Sequence, residues 1–236
     1  MSEFTILMPC LNEAEALAFC IAEAQRGIEH LGLDAEILIA DNGSDDGSPE
    51  IAARCGARVV SVPRRGYGAA IMGGIEAASG TYIIMADADG SYDLADLEAV
   101  INALRAGNAL AVGNRFQGGI QPGAMPLSHR VGVPVLSTLA RWRFKAPVGD
   151  FHCGLRAFVR EQALELELQC PGMEFATELI ARFAQSGATI TEVPVRLRRD
   201  RRGGRRSHLR TVRDGLRHLY FILNDKPFGS NWRDKR

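Results

Sequence analysis

The chain has 236 residues, of which 46% are hydrophobic and 24% charged, and its formal net charge is +0. This composition is ordinary for a soluble globular protein, and a chain of this length can bury a sizeable core without disulfide or metal cross-links. Because the charges balance, overall charge indicates no partner. Their distribution is more informative, since ten arginines lie between Arg196 and Arg217 against only Asp200 and Asp214.

The cysteine spacing and the N-terminal sequence indicate in which cellular compartment the protein is expected. The cysteines have no close zinc-like or redox-like spacing, which is typical of reduced thiols in a cytoplasmic enzyme. They are Cys10, Cys20, Cys55, Cys153 and Cys170. The segment MSEFTILMPCLNE lacks a basic region followed by a long apolar stretch, so no secretory signal is expected. No run approaches 18 apolar residues, so no bilayer-spanning helix is expected.

The first half of the chain alternates between predicted strands and helices. The predicted strands run from Phe4 to Met8, Ala35 to Ala40, Arg58 to Val62 and Tyr82 to Ala86. Apolar residues at helical spacing predict helices from Glu13 to Leu31, from Ser48 onward and from Gly66 to Ala78. This alternation implies parallel strands joined by crossover helices, with ligands beyond the carboxyl ends of the strands.

Two of these helices have sequence signals at their starts. Asn12 is the expected N-cap of the first. Ser48 and Pro49 are the expected N-cap and first-turn proline of the second.

The second half has a looser pattern. Predicted strands run from Ala109 to Gly113, Leu155 to Val159 and Thr189 to Val195, and predicted helices from Leu127 to Phe144, Met173 to Gln185 and Leu209 to Leu223. No internal repeat or low-complexity linker interrupts the pattern. We therefore predict one continuous α/β domain.

The strongest local signal is the pair Asp87 and Asp89, which directly follows the strand YIIMA. Two carboxylates on one strand-end loop suit Mg²⁺ or Mn²⁺, and such an ion neutralises a diphosphate. Asp93 is a further ligand candidate or the N-cap of the next helix. An acidic turn without function is the alternative interpretation.

Asp41 begins a second polar loop at another strand end. An aspartate there can accept a hydrogen bond from a base N–H, whereas Asn42-Gly43 and Asp46-Gly47 are also ordinary turn pairs. Gly66-Tyr67-Gly68 lacks a third glycine and does not follow the first strand, which argues against a dinucleotide fingerprint.

Several segments together resemble family 2 glycosyltransferases, and most closely their polyprenyl- (dolichyl-) phosphate sugar synthases. These segments are MPCLNE, ADNGSDDGS, RRGYGAAIMGGIEAASG, ADADGSYD, GNRF, DFHCGLRAF, GMEFATELI and RSHLRTVRDGLRHL. The resemblance covers nearly the whole chain. It implies one GT-A domain over residues 1–236, with a Rossmann-like, mostly parallel sheet flanked by helices. Residues 1–113 would bind the nucleotide sugar, and residues 114–236 the acceptor, with a C-terminal basic loop and helix.

The resemblance also implies roles for individual residues. The nucleoside pocket would be lined by Pro9, Asn12, Glu13 and Asp41. Asp87 and Asp89 would hold the diphosphate through Mg²⁺ or Mn²⁺, Arg115 and Arg130 would hold the acceptor phosphate, and a basic loop of Arg205, Arg206, Ser207 and His208 would close over both substrates. Ser91 stands where the family has a metal-binding glutamine, which leaves Ser91 or Asp93 as the third protein ligand.

Arginine clusters bind phosphate through bidentate forks. A solvated basic face and a nucleic-acid patch are the alternatives, and nucleic acid is disfavoured because no aromatic residues lie between the arginines. A basic patch near a membrane suits anionic lipid. The helix predicted from Leu127 to Phe144 is broadly apolar and suits a bilayer surface, a subunit interface of a homo-oligomer or a buried position.

Glu174 and Glu178 lie four residues apart on one predicted helix face. A hydroxyl acceptor needs a base, and Glu174 is placed near the family's usual base position. A phosphate acceptor needs none, because it is already an anion. A surface pair or partners for the arginines is the alternative role.

The sequence thus predicts an inverting, metal-dependent hexosyltransferase that uses a UDP- or GDP-sugar and a polyprenyl phosphate, in the cytoplasm at the inner face of the cell membrane. A soluble hydroxyl or phosphate acceptor remains an alternative. So do a sugar nucleotidyltransferase, which normally has a glycine-rich basic loop after its first strand, and a non-catalytic nucleotide sensor.

Overall fold

The computed structural model describes residues 2–202 and 211–228. Within them the chain forms one seven-stranded sheet flanked by helices. The strands are β1 (Phe4–Cys10), β2 (Ala35–Asp41), β3 (Arg58–Ser61), β4 (Tyr82–Met85), β5 (Leu110–Asn114), β6 (Arg156–Val159) and β7 (Ile190–Pro194). The helices are α1 (Ala14–Leu31), α2 (Ser48–Arg54), α3 (Tyr67–Ala77), α4 (Glu98–Arg105), α5 (Arg115–Gly118), α6 (Leu127–Phe144), α7 (Arg160–Glu165), α8 (Phe175–Gln185) and α9 (Thr211–Asn224).

The strand order is β3-β2-β1-β4-β6-β5-β7. All neighbouring strands pair in parallel except β6, which runs antiparallel to both β4 and β5. Met85 at the carboxyl end of β4 lies opposite Arg156 at the start of β6. The reversed strand therefore brings the preceding segment, residues 150–154, to the same sheet edge as Asp87.

The sheet separates two apolar layers because successive side chains of a strand point to opposite faces. On β1, Ile6 and Met8 pack with α1, α2 and α4. Leu7 packs on the other face, with α3, α6, α8 and α9. This is the three-layer arrangement that the alternating pattern predicted.

The start of α1 differs from the prediction. Its N-cap is Glu13 rather than Asn12. Asn12 has a left-handed φ of 57°, and its side chain instead accepts the Asp45 N–H at 2.9 Å. Long-range contacts replace the local cap, because the Glu13 and Ala14 N–H groups donate to Ser48 and Asp46 of the β2–α2 loop.

Other helices also differ from the prediction in their N-caps or their bounds. Gly47 rather than Ser48 is the N-cap of α2, since the Ser48 hydroxyl serves α1 and Asp46. A helix after Asp93 was expected without bounds, but Asp93 does not cap it, because the N-cap of α4 is Leu97. The helices α5 and α7 were not predicted. Residues 209 and 210 of the last predicted helix lie outside the described residues. No helix in the described part of the chain has the length and apolarity needed to span a bilayer.

Candidate active site

A cavity of about 230 Å³ opens at the carboxyl ends of β1, β2 and β4. Its walls come from the ends of these strands, the start of α3 and the segment after β7. The lining residues are Pro9, Cys10, Leu11, Glu13, Asn42, Arg65, Gly66, Tyr67, Ala70, Asp87, Ala88, Asp89, Met173 and Arg202. We call it the first cavity. It joins Pro9, Glu13, Asp87 and Asp89 of the predicted site.

Asp87 lies at the floor of this cavity. Its Oδ1 accepts a hydrogen bond from the Tyr67 hydroxyl at 3.0 Å. Burial, followed by repulsion from Asp89, raises the pKa of Asp87 to about 6. The backbone of Gly154 approaches so closely that a Cβ there would lie 2.1 Å from Oδ2. Any side chain at Gly154 would therefore displace this carboxylate.

Asp89 and Glu13 share one arginine. Arg202 Nη2 lies 3.0 Å from Asp89 Oδ2, and Arg202 Nε lies 2.9 Å from Glu13 Oε2. Burial raises the pKa of Glu13 to about 7, although its contacts with Arg202 act in the opposite direction. The Arg202 guanidinium thus balances negative charge in a cavity that would otherwise repel a diphosphate.

The residues present fit a divalent cation held jointly with a ligand. The described residues contain no cluster of three or more acidic, histidine or cysteine side chains able to enclose a metal alone. Asp87 and Asp89 nevertheless follow one strand and line one cavity. Asp93 is paired with Arg198 at 3.2 Å instead, and the described contact of Ser91 with Asp89 is its N–H bond to Oδ1 at 2.9 Å.

Asp41 is buried and serves its own loop. Its carboxylate accepts the N–H groups of Gly43 at 3.0 Å and Ser44 at 3.2 Å, so the turn interpretation describes this geometry. Neither Asp41 nor Asn12 is among the residues that line the first cavity. The base-binding role of both stays a prediction.

Asn42 and Arg65 were not predicted but line this cavity. The Asn42 side chain donates to the carbonyls of Val62 and Arg64 and accepts the Gly66 N–H at 2.7 Å. It thereby joins the β2 loop to the start of α3. Asn42 follows Asp41 at the strand end, and Arg65 lies in the RRGYGAAIMGGIEAASG segment of the family resemblance, so a signal was available for both.

A second cavity of about 230 Å³ adjoins the first, and both are lined by Tyr67, Asp87 and Met173. Its other walls are α6, α9 and the segment before β6. Those lining residues are Tyr92, Arg115, Ser128, His129, Gly132, Val133, Leu136, His152, Cys153, Gly154, Ala176, Asp214, Gly215 and His218. Two ligands, one in each cavity, would therefore meet at Asp87.

Arg115 is the cationic residue of this wall that the sequence predicted. Its guanidinium makes a two-point contact with Asp150, with Nε 2.7 Å from Oδ2 and Nη2 2.8 Å from Oδ1. One edge of the fork is therefore committed to Asp150, which the sequence did not indicate. Its remaining nitrogen, Nη1, has no hydrogen-bond partner among the described residues and is the part that we expect to face a ligand.

Arg156 is fully buried and anchors the backbone of the segment before β6. Its guanidinium donates to the backbone carbonyls of Phe151, Cys153 and Ala176 at 2.8, 2.9 and 2.6 Å. A buried cation with three such acceptors holds residues 151–153 in one conformation.

Arg130 and Glu174 lie elsewhere. Arg130 is on an exposed face of α6 and does not line either cavity, although Ser128 and His129 do. Glu174 is fully buried and makes a two-point contact with Arg217, at 2.7 and 2.6 Å. Glu178 accepts backbone N–H groups of Gln169 and Cys170. The alternative role as a partner for an arginine therefore fits the contacts of Glu174, whereas Glu178 contacts backbone N–H groups.

The predicted basic loop, Arg205, Arg206, Ser207 and His208, lies outside the described residues.

Comparison with known proteins defines the family. The family model described as glycosyl transferase family 2 matches residues 5–166. The low-salt glycan biosynthesis hexosyltransferase Agl6 of Haloferax volcanii is 37% identical over 94% of this chain and 54% of its own length, so the chain spans about half of that relative. The dolichyl-phosphate hexose transferase of the same organism is 30% identical, over 83% of this chain and 85% of its own length.

Solved structures define the fold. Glucosyl-3-phosphoglycerate synthase from Mycobacterium tuberculosis, in complex with Mn²⁺ and UDP-glucose, matches with a TM-score of 0.75 at 22% identity, over 97% of this chain and 81% of that one. The same enzyme with Mn²⁺, UDP and phosphoglyceric acid matches with a TM-score of 0.71 at 23% identity, over 94% and 78%.

The sheet, the paired aspartates at a strand end and these matches define a GT-A glycosyltransferase fold, as predicted. The chain belongs to glycosyl transferase family 2.

Proposed function

We propose that this protein transfers a hexose from a nucleotide sugar to the phosphate of a polyprenyl phosphate, with inversion at the anomeric carbon. The observation that carries the proposal is the meeting of two cavities at Asp87, one with paired carboxylates and the other with Arg115. The donor occupies the first cavity and the acceptor phosphate the second. Residues 1–113 supply most of the donor wall, and residues 114–236 most of the acceptor wall.

Asp87 and Asp89 hold Mg²⁺ or Mn²⁺ together with the donor diphosphate. The bound ion supplies charge neutralisation for the departing nucleoside diphosphate. A solved structure of the same fold supports this cofactor, because the M. tuberculosis synthase was solved with Mn²⁺ and UDP-glucose. Arg202 is already balanced against Asp89 and Glu13 at 3.0 and 2.9 Å. When the donor binds, its diphosphate oxygens would replace these carboxylates as partners of the Arg202 guanidinium.

The second cavity suits an anionic nucleophile. Arg115 orients the acceptor phosphate, and its committed contact with Asp150 fixes where the remaining N–H groups point. A phosphate oxygen attacks the anomeric carbon from the side opposite the diphosphate, which inverts the configuration. No protein base is needed, which agrees with the engagement of Glu174 by Arg217. The barrier is lowered by positioning and by charge placement.

A lipid acceptor is favoured by the wall between α6 and α9. Gly132 of α6 and Gly215 of α9 both line the second cavity. Among the residues that the structure describes, a Cβ at either position would meet nothing within 4 Å. The two glycines leave space through which a narrow prenyl chain can leave the cavity.

That space lies beside an exposed apolar stripe on α6. Its members are Leu127, Val131, Val135, Leu139 and Trp142, which are 80%, 68%, 54%, 41% and 81% exposed. On α9, which packs against α6, Val212, Leu216 and Leu223 are exposed as well.

Exposed arginines lie on both helices, three on α6 and one on α9. They are Arg130, Arg141, Arg143 and Arg213. An apolar stripe with a basic border suits peripheral binding to anionic lipid, so the proposed site of action is the cytoplasmic face of the cell membrane. A homo-oligomer that covers the stripe is the competing arrangement.

A soluble phosphate acceptor is the second candidate, favoured by the fold match to a synthase solved with phosphoglyceric acid. Both candidates are tested by supplying labelled UDP- and GDP-hexoses with Mn²⁺ to the purified protein, together with either a polyprenyl phosphate or 3-phosphoglycerate. Label extracted into organic solvent identifies the lipid product, and label retained in water on 3-phosphoglycerate identifies the soluble one.

A further inference from the structure

His152 has an unpaired ring nitrogen beside the proposed acceptor. Its Nε2 is buried and has no hydrogen-bond partner among the described residues, and His152 lines the second cavity with Arg115. A buried polar atom without a partner destabilises the folded protein. Such atoms are rare in native proteins and call for an explanation, of which a bound ligand is one.

Neighbouring contacts are compatible with a proton on Nε2 of His152. His152 Nδ1 lies 3.4 Å from Ser137 Oγ, and Ser137 Oγ also accepts the Phe151 N–H at 3.1 Å. The Ser137 hydroxyl proton is then free to point at Nδ1. In this tautomer Nε2 carries the ring hydrogen, so it is a donor that needs an oxygen acceptor.

The ring is also held in place. It makes an edge-on contact with the ring of His218, with centroids 4.4 Å apart, and His218 Nδ1 is 2.8 Å from Thr177 Oγ1. The backbone N–H of His152 donates to Asp150 Oδ1 at 3.2 Å, the oxygen that also accepts from Arg115 Nη2. One carboxylate thus sets the positions of both Arg115 and His152.

Burial, together with the nearby His218 and Arg115, lowers the pKa of His152 well below its usual range. The imidazole is therefore neutral at neutral pH. It offers one directional hydrogen bond and adds no charge to the wall.

We propose that His152 is an acceptor-binding residue whose Nε2–H donates to a phosphate oxygen of the acceptor, beside the Arg115 guanidinium. This inference rests on the proposed assignment of the second cavity to a phosphomonoester. It adds a specificity contact that neither the paired aspartates nor the arginines supply. The contact selects an oxygen at one position, whereas Arg115 supplies charge.

Matched substitutions separate this role from a structural one. The amide of His152→Gln reaches the Nε2 position, whereas that of His152→Asn reaches the Nδ1 position near Ser137. If Nε2 binds the acceptor, His152→Asn and His152→Phe raise the acceptor KM about tenfold, the effect of losing one hydrogen bond. His152→Gln then stays within about threefold of the parent protein. A purely structural role through Ser137 gives the reverse order for Gln and Asn, with loss of stability. His30→Asn, on the exposed end of α1, is the control.

A binding measurement separates this inference from the proposed reaction. Long-range ¹H–¹⁵N spectra report each histidine ring nitrogen, and the His152 signals are those missing from His152→Gln. We expect farnesyl phosphate to shift Nε2 of His152 and to leave His30 unchanged. A shift with 3-phosphoglycerate alone would support the contact and reject the lipid acceptor. Absence of a shift with both ligands at saturating concentration would overturn the inference, even if hexose transfer to a lipid were observed.

Discussion

The guanidinium of Arg115 and the carboxylate of Asp150 form a buried two-point ion pair, with contacts of 2.7 and 2.8 Å. The side chain of Asp150 is 0% exposed and that of Arg115 is 10% exposed. Asp150 comes from the segment before the antiparallel strand β6, and Arg115 directly follows β5. The pair therefore depends on the strand reversal, and it points one arginine edge into the second cavity.

Removing one member of this pair leaves the other as a buried, uncompensated charge. We expect Asp150→Asn to lower the free energy of unfolding by on the order of 3 kcal/mol and to raise the acceptor KM. Arg115→Met combined with Asp150→Asn should cost less than the sum of the two single changes. Urea unfolding of the four proteins measures this coupling, and simple additivity would contradict a direct interaction.

Loss of the Asp89 carboxylate should disable the donor site while the fold persists. We expect Asp89→Asn to weaken Mn²⁺-dependent binding of a nucleoside diphosphate at least about tenfold and to abolish transfer. We expect this loss because a neutral amide cannot neutralise the charge of a divalent cation. Calorimetric titration with and without Mn²⁺ checks this, with the exposed Asp96→Asn as control. Metal-dependent binding of parental strength in Asp89→Asn would remove this residue from the site.

His218 predicts an acid-sensitive step in stability. Burial, followed by the charges of Arg156 and Arg217, lowers its pKa from the ordinary 6.5 to about 3. Between these values the unfolded chain binds a proton that the folded protein does not. Stability from this group is therefore complete above pH 6.5 and is lost as the pH falls towards 3.

The corresponding variant is His218→Asn, whose amide reaches the Nδ1 position and can still contact Thr177. We expect the decrease in free energy of unfolding between pH 7 and pH 5 to be smaller in this variant by on the order of 1–2 kcal/mol. Urea denaturation at several pH values measures it. Parallel pH profiles for the variant and the parent protein would show that His218 is not the source.

The apolar stripe of α6 should control membrane binding. Val131 and Val135 are 68% and 54% exposed, so charged side chains fit there without disturbing the core. We expect Val131→Glu with Val135→Glu to reduce binding to phosphatidylglycerol vesicles at least about tenfold and to leave donor binding unchanged.

Vesicle sedimentation measures this binding. The control is Leu164→Glu on α7, because Leu164 is also an exposed apolar residue, at 43%, but does not belong to the α6 stripe. Equal loss of vesicle binding in the control and in the double variant, or no loss in either, would show that the stripe is not the membrane-binding surface.

The opening between α6 and α9 should set tolerance for the acceptor chain. Gly132→Leu fills open space and adds helix propensity, so the fold should not suffer. We expect it to raise the KM for a long polyprenyl phosphate several-fold more than the KM for a short, soluble prenyl phosphate. Kinetics with both acceptors test this. An equal increase in KM for both acceptors would show that the prenyl chain does not pass between α6 and α9.

Sequence patterns predicted the parts of the site that are local. Asp87 and Asp89 follow one buried strand, and parallel strands end at one edge, so their place in the first cavity followed from the pattern. The contact of Arg202 with Glu13 spans 189 positions, and no local signal predicts it. The direction of the four-residue strand β6 was equally hidden, because a short apolar run has no directional signal.

Two residues match a sequence pattern but make contacts other than those that the pattern predicts. Asn12 has the residue type of an N-cap, yet its side chain joins the β2 loop, because Asp46 and Ser48 satisfy the start of α1. Asp41 lies at a strand end as a base-binding aspartate would, and its carboxylate accepts hydrogen bonds from its own turn. Tertiary contacts determine these outcomes, and they are not encoded at fixed spacing.

The central claim is that a polyprenyl phosphate in the second cavity accepts a hexose from a nucleotide sugar in the first. The most direct measurement follows labelled hexose into organic solvent when the purified protein receives a nucleotide sugar, Mn²⁺ and a polyprenyl phosphate. We predict a lipid-extractable product that is released by mild acid, requires metal, and is lost in Asp89→Asn. Exclusive labelling of a water-soluble phosphomonoester or alcohol, with no lipid product from any hexose donor, would contradict the claim.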